Sequence, residues 1–333
     1  MDLDLSPEQR AVRATFAQLF QRSATAERVR AAEPAGWDAD LWREYVDVGA
    51  LEIGVDEQAG GAGGGLVELA LIAEEAGRTL APIPCAAAGV ATRLLAAADA
   101  SEALTQVLSG ERLVSFAPST APLPGQLLVD GAITDAVIAL QDDRLALVER
   151  PDRREVRANV GASPLQCWSG TAAHTVLATG GKARDLHAHA VDELRVLRAA
   201  SLVGLAHRAI ELGAAYAKVR TAFGDPIGRY QAVAHPLADA LVACDGAQLL
   251  CWKAAWALDA GLDRGSALAG MAFVHAAETA QSAAGHSLHV HGGYGFMEET
   301  DIQLYYRRAK AWTVALADPA RELLRVADEL LAG

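Results

Sequence analysis

The sequence predicts a mainly helical protein of several domains, in the α+β class, and three observations carry this prediction. Apolar residues recur at helical spacing over the first and the last third of the chain. Between these segments lie short apolar runs bounded by Pro, Gly and Asp, a pattern typical of strands. Strands and helices do not alternate, which argues against a doubly wound nucleotide-binding sheet. We therefore expect a helical domain over residues 1–112, a small antiparallel β domain over 113–190 and a helical bundle over 191–333.

The helices of the first domain are predicted from their start signals. Ser6 can serve as an N-cap, Pro7 fits the first helical position, and Gln9 can close a capping box. Apolar residues then follow at helical spacing. Further helices are expected near Asp38, over Leu66–Gly77, and after Pro84, where an Ala-rich segment fades near Gly110.

The middle segment is expected to form short strands, because its apolar runs are brief and are bounded by turn-forming residues. The runs are Leu127–Val129, Ala136–Leu140, Leu145–Val148, and the segments around Cys167-Trp168 and Val176-Leu177.

Helical spacing returns after residue 191 and predicts long helices that pack as a bundle. The first apolar stripe consists of Leu202, Leu205, Ala209, Leu212, Tyr216 and Val219. Three more helices are expected around Leu237–Leu258, from about Ser266 to His289, and from Pro319 to Leu331.

Charge and composition restrict the class of protein. The chain has 333 residues, with 29 Lys+Arg against 42 Asp+Glu, a formal net charge of −13, and 52% hydrophobic residues. This apolar content is enough to form large cores. The acidic balance argues against a protein that binds nucleic acid through phosphate contacts.

The cysteines and the N-terminus give no sign of an exported or membrane protein. The four cysteines form no CxxC pair, so we expect neither a disulfide framework nor a Cys-rich zinc site. Cys244 and Cys251, seven residues apart, suit the buried face of a helix. The N-terminus lacks the apolar segment of a signal peptide, and no charge-free apolar run reaches eighteen residues. We expect a cytoplasmic protein without a membrane span.

Three segments could have a catalytic or ligand-binding role, but no single one of them identifies the function. The stretch His289–Gly295 follows a helix and not a strand, so it is not a dinucleotide fingerprint, and it could simply end the helix. His289 and His291 lack a third ligand at a recognisable spacing, so we expect no metal site. Arg220, at a helix end, could be a dipole partner or a phosphate ligand. The glycine run at 60–65 lacks the Lys-Ser/Thr of a P-loop and is interpreted as a loop.

Taken together, four long segments resemble the acyl-CoA dehydrogenase family, and the resemblance extends along nearly the whole chain. Two lie in the first third, SPEQRAVRATFAQLF and WDADLWREYVDVGALEIGVDEQAGGAGGGLVELALIAEEAGRTLAP. The other two are YAKVRTAFGDPIGRYQAVAHPLAD in the bundle and HSLHVHGGYGFMEETDIQLYYRRAKAW near the end. The last two are specific because they occur in the family's order and at its separation.

The resemblance implies a flavoenzyme fold with a C-terminal four-helix bundle that tetramerises. It implies that Arg220 contacts the FAD pyrophosphate across a subunit interface, that Phe223 packs near the adenine and that Gln231 contacts the ADP portion. It further implies that His289, commonly Gln in the family, lines the adenine-ribose side together with Gly292 and Gly293. Family members remove an α-proton from an acyl-CoA thioester with a carboxylate base and transfer a β-hydride to flavin N5. Electron-transfer flavoprotein or a similar acceptor then takes the electrons.

The sequence departs from the family at the catalytic base. Leu316 occupies the position of the usual Glu, and leucine cannot accept a proton. Asp318 is two residues further on and is better explained as the N-cap of the last helix, because Pro319 follows it. Some relatives place the base on the first bundle helix, where this chain has Leu194. Its neighbour Glu193 would point about 100° away.

The middle domain departs as well. In the place of the family's Thr-Glu-Pro, the chain has the segment 116–122, and no Trp-x-Thr/Ser is evident where strands should cover the flavin. Trp168-Ser169-Gly170 is a poor substitute because it lies late in the domain, which also looks short. A truncated cover would leave a flavin ring more exposed to water.

Two functions therefore remain open. The chain could be a base-lacking partner subunit that joins a longer, intact homologue in an α2β2 heterotetramer. The alternative is a self-sufficient FAD-dependent acyl-CoA dehydrogenase homotetramer with a relocated base. The usual base is missing and the middle domain is reduced, whereas the Arg220 motif and the glycine-rich turn are retained. This combination favours the partner subunit. The sequence does not identify the acyl group.

Overall fold

The first third of the chain forms the expected helical domain in the computed structural model, which describes residues 4–33, 35–121, 123, 126–151, 156–168 and 174–332. Ser6 caps the first helix as predicted: Gln9 N donates to Ser6 Oγ at 3.1 Å and Ser6 N donates to Gln9 Oε1 at 3.0 Å. Asp38 caps the third helix through the backbone N–H groups of Asp40 and Leu41. The helices are α1 (Pro7–Ser23), α2 (Ala26–Ala32), α3 (Ala39–Asp47), α4 (Leu66–Thr79), α5 (Cys85–Ala97) and α6 (Ser101–Leu108).

Two details of this domain differ from the prediction. The short helix α2, capped by Thr25, was not predicted, because seven residues carry too little periodicity. The Ala-rich segment forms two helices because the chain turns at Asp99, whose φ of +58° is left-handed.

The middle domain contains a four-stranded sheet of order β1-β3-β4-β6 and a separate two-stranded pair, β2-β5. The strands are β1 (Val114–Phe116), β2 (Leu127–Leu128), β3 (Ala136–Gln141), β4 (Arg144–Glu149), β5 (Gln166–Cys167) and β6 (His174–Thr179). Asp142 and Asp143 both have positive φ and form the tight β3–β4 hairpin. The purely antiparallel prediction is wrong for one pair, since β1 lies parallel to β3. The chain leaves the sheet between them to form β2, and apolar runs do not specify strand direction.

The C-terminal helices pack together as predicted, with one addition. They are α7 (Gly180–Val219), α8 (Gln231–Asp259), α9 (Gly265–His291), α10 (Ile302–Leu316) and α11 (Pro319–Ala332). A short hairpin of β7 (Thr221–Ala222) and β8 (Asp225–Pro226) joins α7 to α8. The segment 302–316 was considered only as a motif in the sequence, and the structure shows that it is a helix packed against α7 and α9. The final helix lies against α9.

The helical domain and the bundle meet at a close crossing of α4 and α7. A Cβ on Gly204 would overlap the backbone oxygen of Glu74, and a Cβ on Gly77 would overlap the backbone oxygen of Ser201. The two backbones are thus in direct contact, and one apolar core continues from the first domain into the bundle. The proposed domain limits at residues 112 and 190 stay a prediction; α7 begins at Gly180.

Candidate active site

A cavity of about 250 Å³ lies between the middle domain, α7 and the end of α10. Leu194 and Leu316, which the sequence resemblance predicts to occupy the two possible base positions, both line it. They come from different helices that are more than a hundred residues apart in the sequence, so the fold brings the two positions to one site. The segment Phe116–Ser119 and the segment 126–130 form the opposite wall.

The other carboxylates considered from the sequence do not face this cavity. Glu193 is buried and binds Arg93 (Oε1 to Nε, 2.7 Å) and His189 (Oε1 to Nε2, 3.3 Å) in a separate groove. The hydrogen bond to Glu193 raises the pKa of His189 above its ordinary value. Asp318 accepts a hydrogen bond from the backbone N–H of Ala320 at 3.0 Å, as an N-cap does. Neither side chain is placed to take a proton from a ligand in the cavity.

One carboxylate on the described part of the cavity wall was missed by the sequence analysis. Asp130 is buried on this wall, close enough to Arg198 for their charges to interact. Burial raises its pKa from 3.8 to about 6, and the charge of Arg198 opposes this shift only in part. Its φ of +64° is left-handed. Asp130-Gly131 reads in the sequence as an ordinary turn, so only the fold shows that the carboxyl points inward.

The buried position of Asp130 predicts a pH-dependent stability. Because the folded-state pKa is above the unfolded value, the protonated form favours folding, and this contribution is lost as the pH rises through about 6. Asp130→Asn should therefore raise the free energy of unfolding at pH 8 by up to about 3 kcal/mol, and Tm should rise with it. The gain should shrink toward pH 5. Asn also tolerates left-handed φ. Thermal unfolding at the two pH values measures the effect.

Asp143→Asn is the matched control, since Asp143 is exposed and also has a left-handed φ. It should change Tm little and equally at both pH values. A gain in Asp130→Asn that does not depend on pH would contradict the assignment of a buried carboxyl.

The predicted flavin-contacting residues lie at the far end of the bundle. Arg220 is the C-cap of α7, and its exposed guanidinium has no ion-pair partner among the described residues. Phe223 is 97% exposed, with a φ of +52°, and its ring packs edge-on against Tyr230. Gln231 is the first residue of α8. An arginine and an aromatic ring are thus both presented to the outside of the chain.

The end of α9 joins the same surface. The ring of His291 stacks on Tyr216, with centroids 4.4 Å apart, and its Nδ1 bonds to Ser287 O at 2.7 Å. Tyr216 lies one turn before Arg220, so the turn after α9 is next to the α7 end. Gly292 and Gly293 are exposed, and a Cβ built on either would contact nothing within 4 Å. His289 is exposed on the last turn of α9.

The tryptophan of the middle domain, Trp168, is not among the residues that line the cavity. Trp168 is buried and donates from Nε1 to Gly131 O at 3.0 Å, within a small core of its own domain. Residues 169–170, which follow it in the sequence, and Pro122 lie outside the described residues. Phe116–Ser119 line the cavity.

The described residues contain neither a cluster of metal ligands nor a helix able to span a membrane. No three His, Cys, Asp or Glu side chains within those ranges converge as a metal site. No helix in the same ranges has the length and apolarity needed to cross a membrane.

Residues 6–107 match the acyl-CoA dehydrogenase N-terminal domain, and residues 185–316 match the acyl-CoA dehydrogenase C-terminal domain. The acyl-CoA dehydrogenase IpdE2 of Mycolicibacterium smegmatis is 31% identical over 337 residues, covering 98% of this chain and 100% of the relative.

Solved structures agree with this assignment. The ChsE4-ChsE5 complex from Mycobacterium tuberculosis contains a chain with a TM-score of 0.88 at 24% identity, with both chains fully covered. A variant of the Tcur3481-Tcur3483 steroid ACAD gives 0.86 at 27% identity, with 98% of each chain covered. The chain therefore belongs to the acyl-CoA dehydrogenase family.

Proposed function

We propose that the chain takes part in FAD-linked α,β-dehydrogenation of an acyl-CoA as the base-lacking partner subunit of a heterotetramer. The observation that carries the proposal is the joint position of Leu194 and Leu316 on one cavity. A leucine at either base position leaves no lone pair for the α-proton. An intact homologous subunit would supply the carboxylate.

The far end of the bundle suits the cofactor's phosphate and adenine portions. Arg220 offers an exposed guanidinium without an ion pair in the described part of the chain, and Phe223 offers an exposed ring. The exposed turn at Gly292 and Gly293 allows a close backbone approach. We propose that these residues, with Gln231 and His289, hold FAD, which when bound accepts hydride from the substrate's β-carbon.

The distance between the two sites supports a role across a subunit interface. At 1.5 Å per residue, Leu194 and Arg220 are roughly 40 Å apart along the single helix α7. The cavity and the proposed phosphate contact therefore lie at opposite parts of the chain. Arg220 would serve a flavin whose ring lies in another subunit.

The relatives support a proposal for the classes of substrate and partner. One solved relative is a variant of a steroid ACAD, and another is the complex of ChsE4 and ChsE5. We propose an acyl-CoA thioester from a fatty acid or a sterol side chain as substrate, and electron-transfer flavoprotein or a similar protein as electron acceptor. The cytoplasmic location stays a prediction from the sequence.

Replacing Arg220 tests the cofactor contact. Arg220→Ala removes a charge-assisted contact worth roughly 1.5–3 kcal/mol, so the flavin content of the complex with its partner should fall while the fold survives. The visible absorption of the purified complex, with and without the substitution, measures this.

Arg264→Ala is the matched control, because Arg264 is an exposed arginine at the opposite end of α9. It should leave the flavin band unchanged. If Arg220→Ala retains flavin as well as the control does, Arg220 is not the phosphate ligand.

A second function is favoured by one observation, the presence of Asp130 in the cavity. If Asp130 is a relocated base, the chain is a self-sufficient homotetrameric dehydrogenase. A full flavin band in the lone chain would support this alternative, whereas a partner subunit should gain its flavin only in the complex.

A further inference from the structure

The cavity wall contains an arginine without a hydrogen-bond acceptor in the described part of the chain. Arg198 lies one turn after Leu194. It lines both the cavity of about 250 Å³ described above and an adjoining cavity of about 70 Å³. Its guanidinium carbon lies 5.7 Å from the centroid of the Trp312 ring. Its Nε atom is buried and unpaired. A buried charged donor without an acceptor is costly, so an acceptor from outside the chain would stabilise this site.

The neighbouring arginines are already occupied. Arg195 binds Asp192 (Nη1 to Oδ1, 2.6 Å) and Glu322 (Nε to Oε1, 2.9 Å). Arg308, on the wall of the adjoining cavity, binds Glu33 at 3.0 Å. Among the described wall residues, Arg198 is thus the arginine without a hydrogen-bonded acceptor, although the charge of Asp130 is near it.

A second polar group on the wall also lacks a partner. The buried Oε1 of Gln126 has no hydrogen-bond partner, whereas the carboxyl of Asp130 is close enough to Arg198 for their charges to interact. Buried polar groups are normally satisfied by protein, water or ligand. These two unsatisfied groups on one cavity wall, the Nε of Arg198 and the Oε1 of Gln126, indicate a polar occupant at this end. Leu194 and Leu316 form an apolar surface for the remainder of a ligand.

We propose that this cavity binds an organic carboxylate, with the carboxylate on the guanidinium of Arg198 and a short aliphatic chain against Leu194 and Leu316. The planar guanidinium can donate two parallel hydrogen bonds to a carboxylate, and the Trp312 ring fixes its orientation. The carboxylate can belong to a free acid or to the distal end of an acyl thioester. Both sources present the same chemistry to Arg198.

The test is a calorimetric titration of the purified full chain with matched pairs of ligands. Hexanoate is compared with hexanamide, and adipoyl-CoA is compared with hexanoyl-CoA, so that each pair differs in one carboxylate. The carboxylate member should bind roughly 10- to 100-fold more tightly. A preference within the first pair identifies a free acid as the source, and a preference confined to the second pair identifies an acyl thioester.

Arg198→Met should abolish the preference, and Arg198→Lys, which keeps the charge but loses the planar fork, should reduce it. Arg184→Met is the matched control, since Arg184 is an exposed arginine on the same helix. Circular dichroism checks that each variant is folded; if Arg198→Met is not, Arg198→Lys decides. Equal binding within both pairs, or a preference that survives substitution of Arg198, would overturn the proposal. The titration needs neither flavin nor a partner, so its result is independent of the partner-subunit role.

Discussion

Purified alone, the chain is expected to dehydrogenate acyl-CoA about 10²- to 10⁴-fold more slowly than its complex with a Glu-bearing homologous subunit. This range is the usual contribution of a positioned general base, and both predicted base positions on the cavity are leucines. Dye reduction with an acyl-CoA substrate, measured with the same excess of added FAD and at equal chain concentration for the lone chain and for the complex, gives the ratio.

Substitutions separate the two proposed functions. In the complex, replacing the Glu of the intact subunit should eliminate turnover, and Leu316→Glu in this chain should not restore it, because the middle domain would still cover the flavin poorly. Glu193→Gln and Asp318→Asn should have no effect on chemistry, since one carboxylate pairs with Arg93 and the other caps a helix. Robust turnover by the lone chain that is lost in Asp130→Asn would instead establish the self-sufficient enzyme.

Gly204→Ala is expected to destabilise the protein by about 3 kcal/mol. The added methyl would overlap the backbone oxygen of Glu74, which belongs to α4 and cannot rotate away as a side chain would. Relief requires the two helices to separate, and this separation would disturb the shared core. Chemical denaturation of the two proteins measures the difference in unfolding free energy.

Gly285→Ala is the matched control. Gly285 also lies within a helix of the bundle, but a Cβ there would contact nothing within 4 Å. This variant should gain up to about 1 kcal/mol from the higher helix propensity of alanine. Equal stability of the two variants would show that the α4–α7 crossing tolerates a wider separation.

Local signals in the sequence predicted much of the fold. Ser6 and Asp38 cap helices as their side chains and spacing indicate, and the expected strands appear at their apolar runs. The helix α10 was missed because its buried side includes Arg308, whose charge interrupts the apolar stripe and is compensated by Glu33 from a distant segment. Such a long-range partner cannot be seen from periodicity.

The candidate site was only partly predictable from the sequence. The resemblance named Leu194 and Leu316 separately, and the fold shows that they line one cavity. Asp130 and Arg198 had no signal in the sequence, because an Asp-Gly turn and an arginine within a helix are usually exposed. Their burial results from the packing of the middle domain against α7, which depends on contacts between residues far apart in the sequence. The roles of Arg220, Phe223, Gln231, His289, Gly292 and Gly293 toward FAD stay a prediction.

The uninterrupted length of α7 has a consequence for the evolution of paired subunits. This helix of 40 residues contains Leu194, the predicted base position, and ends at Arg220, the proposed ligand of the flavin phosphate. Mutations at one position leave the other undisturbed, because a rigid helix keeps both in place. After a gene duplication, one copy can therefore accumulate changes around the predicted base position. Selection can still maintain the Arg220 end of the helix, because the other copy depends on it. Division of labour between the copies then requires no change of architecture.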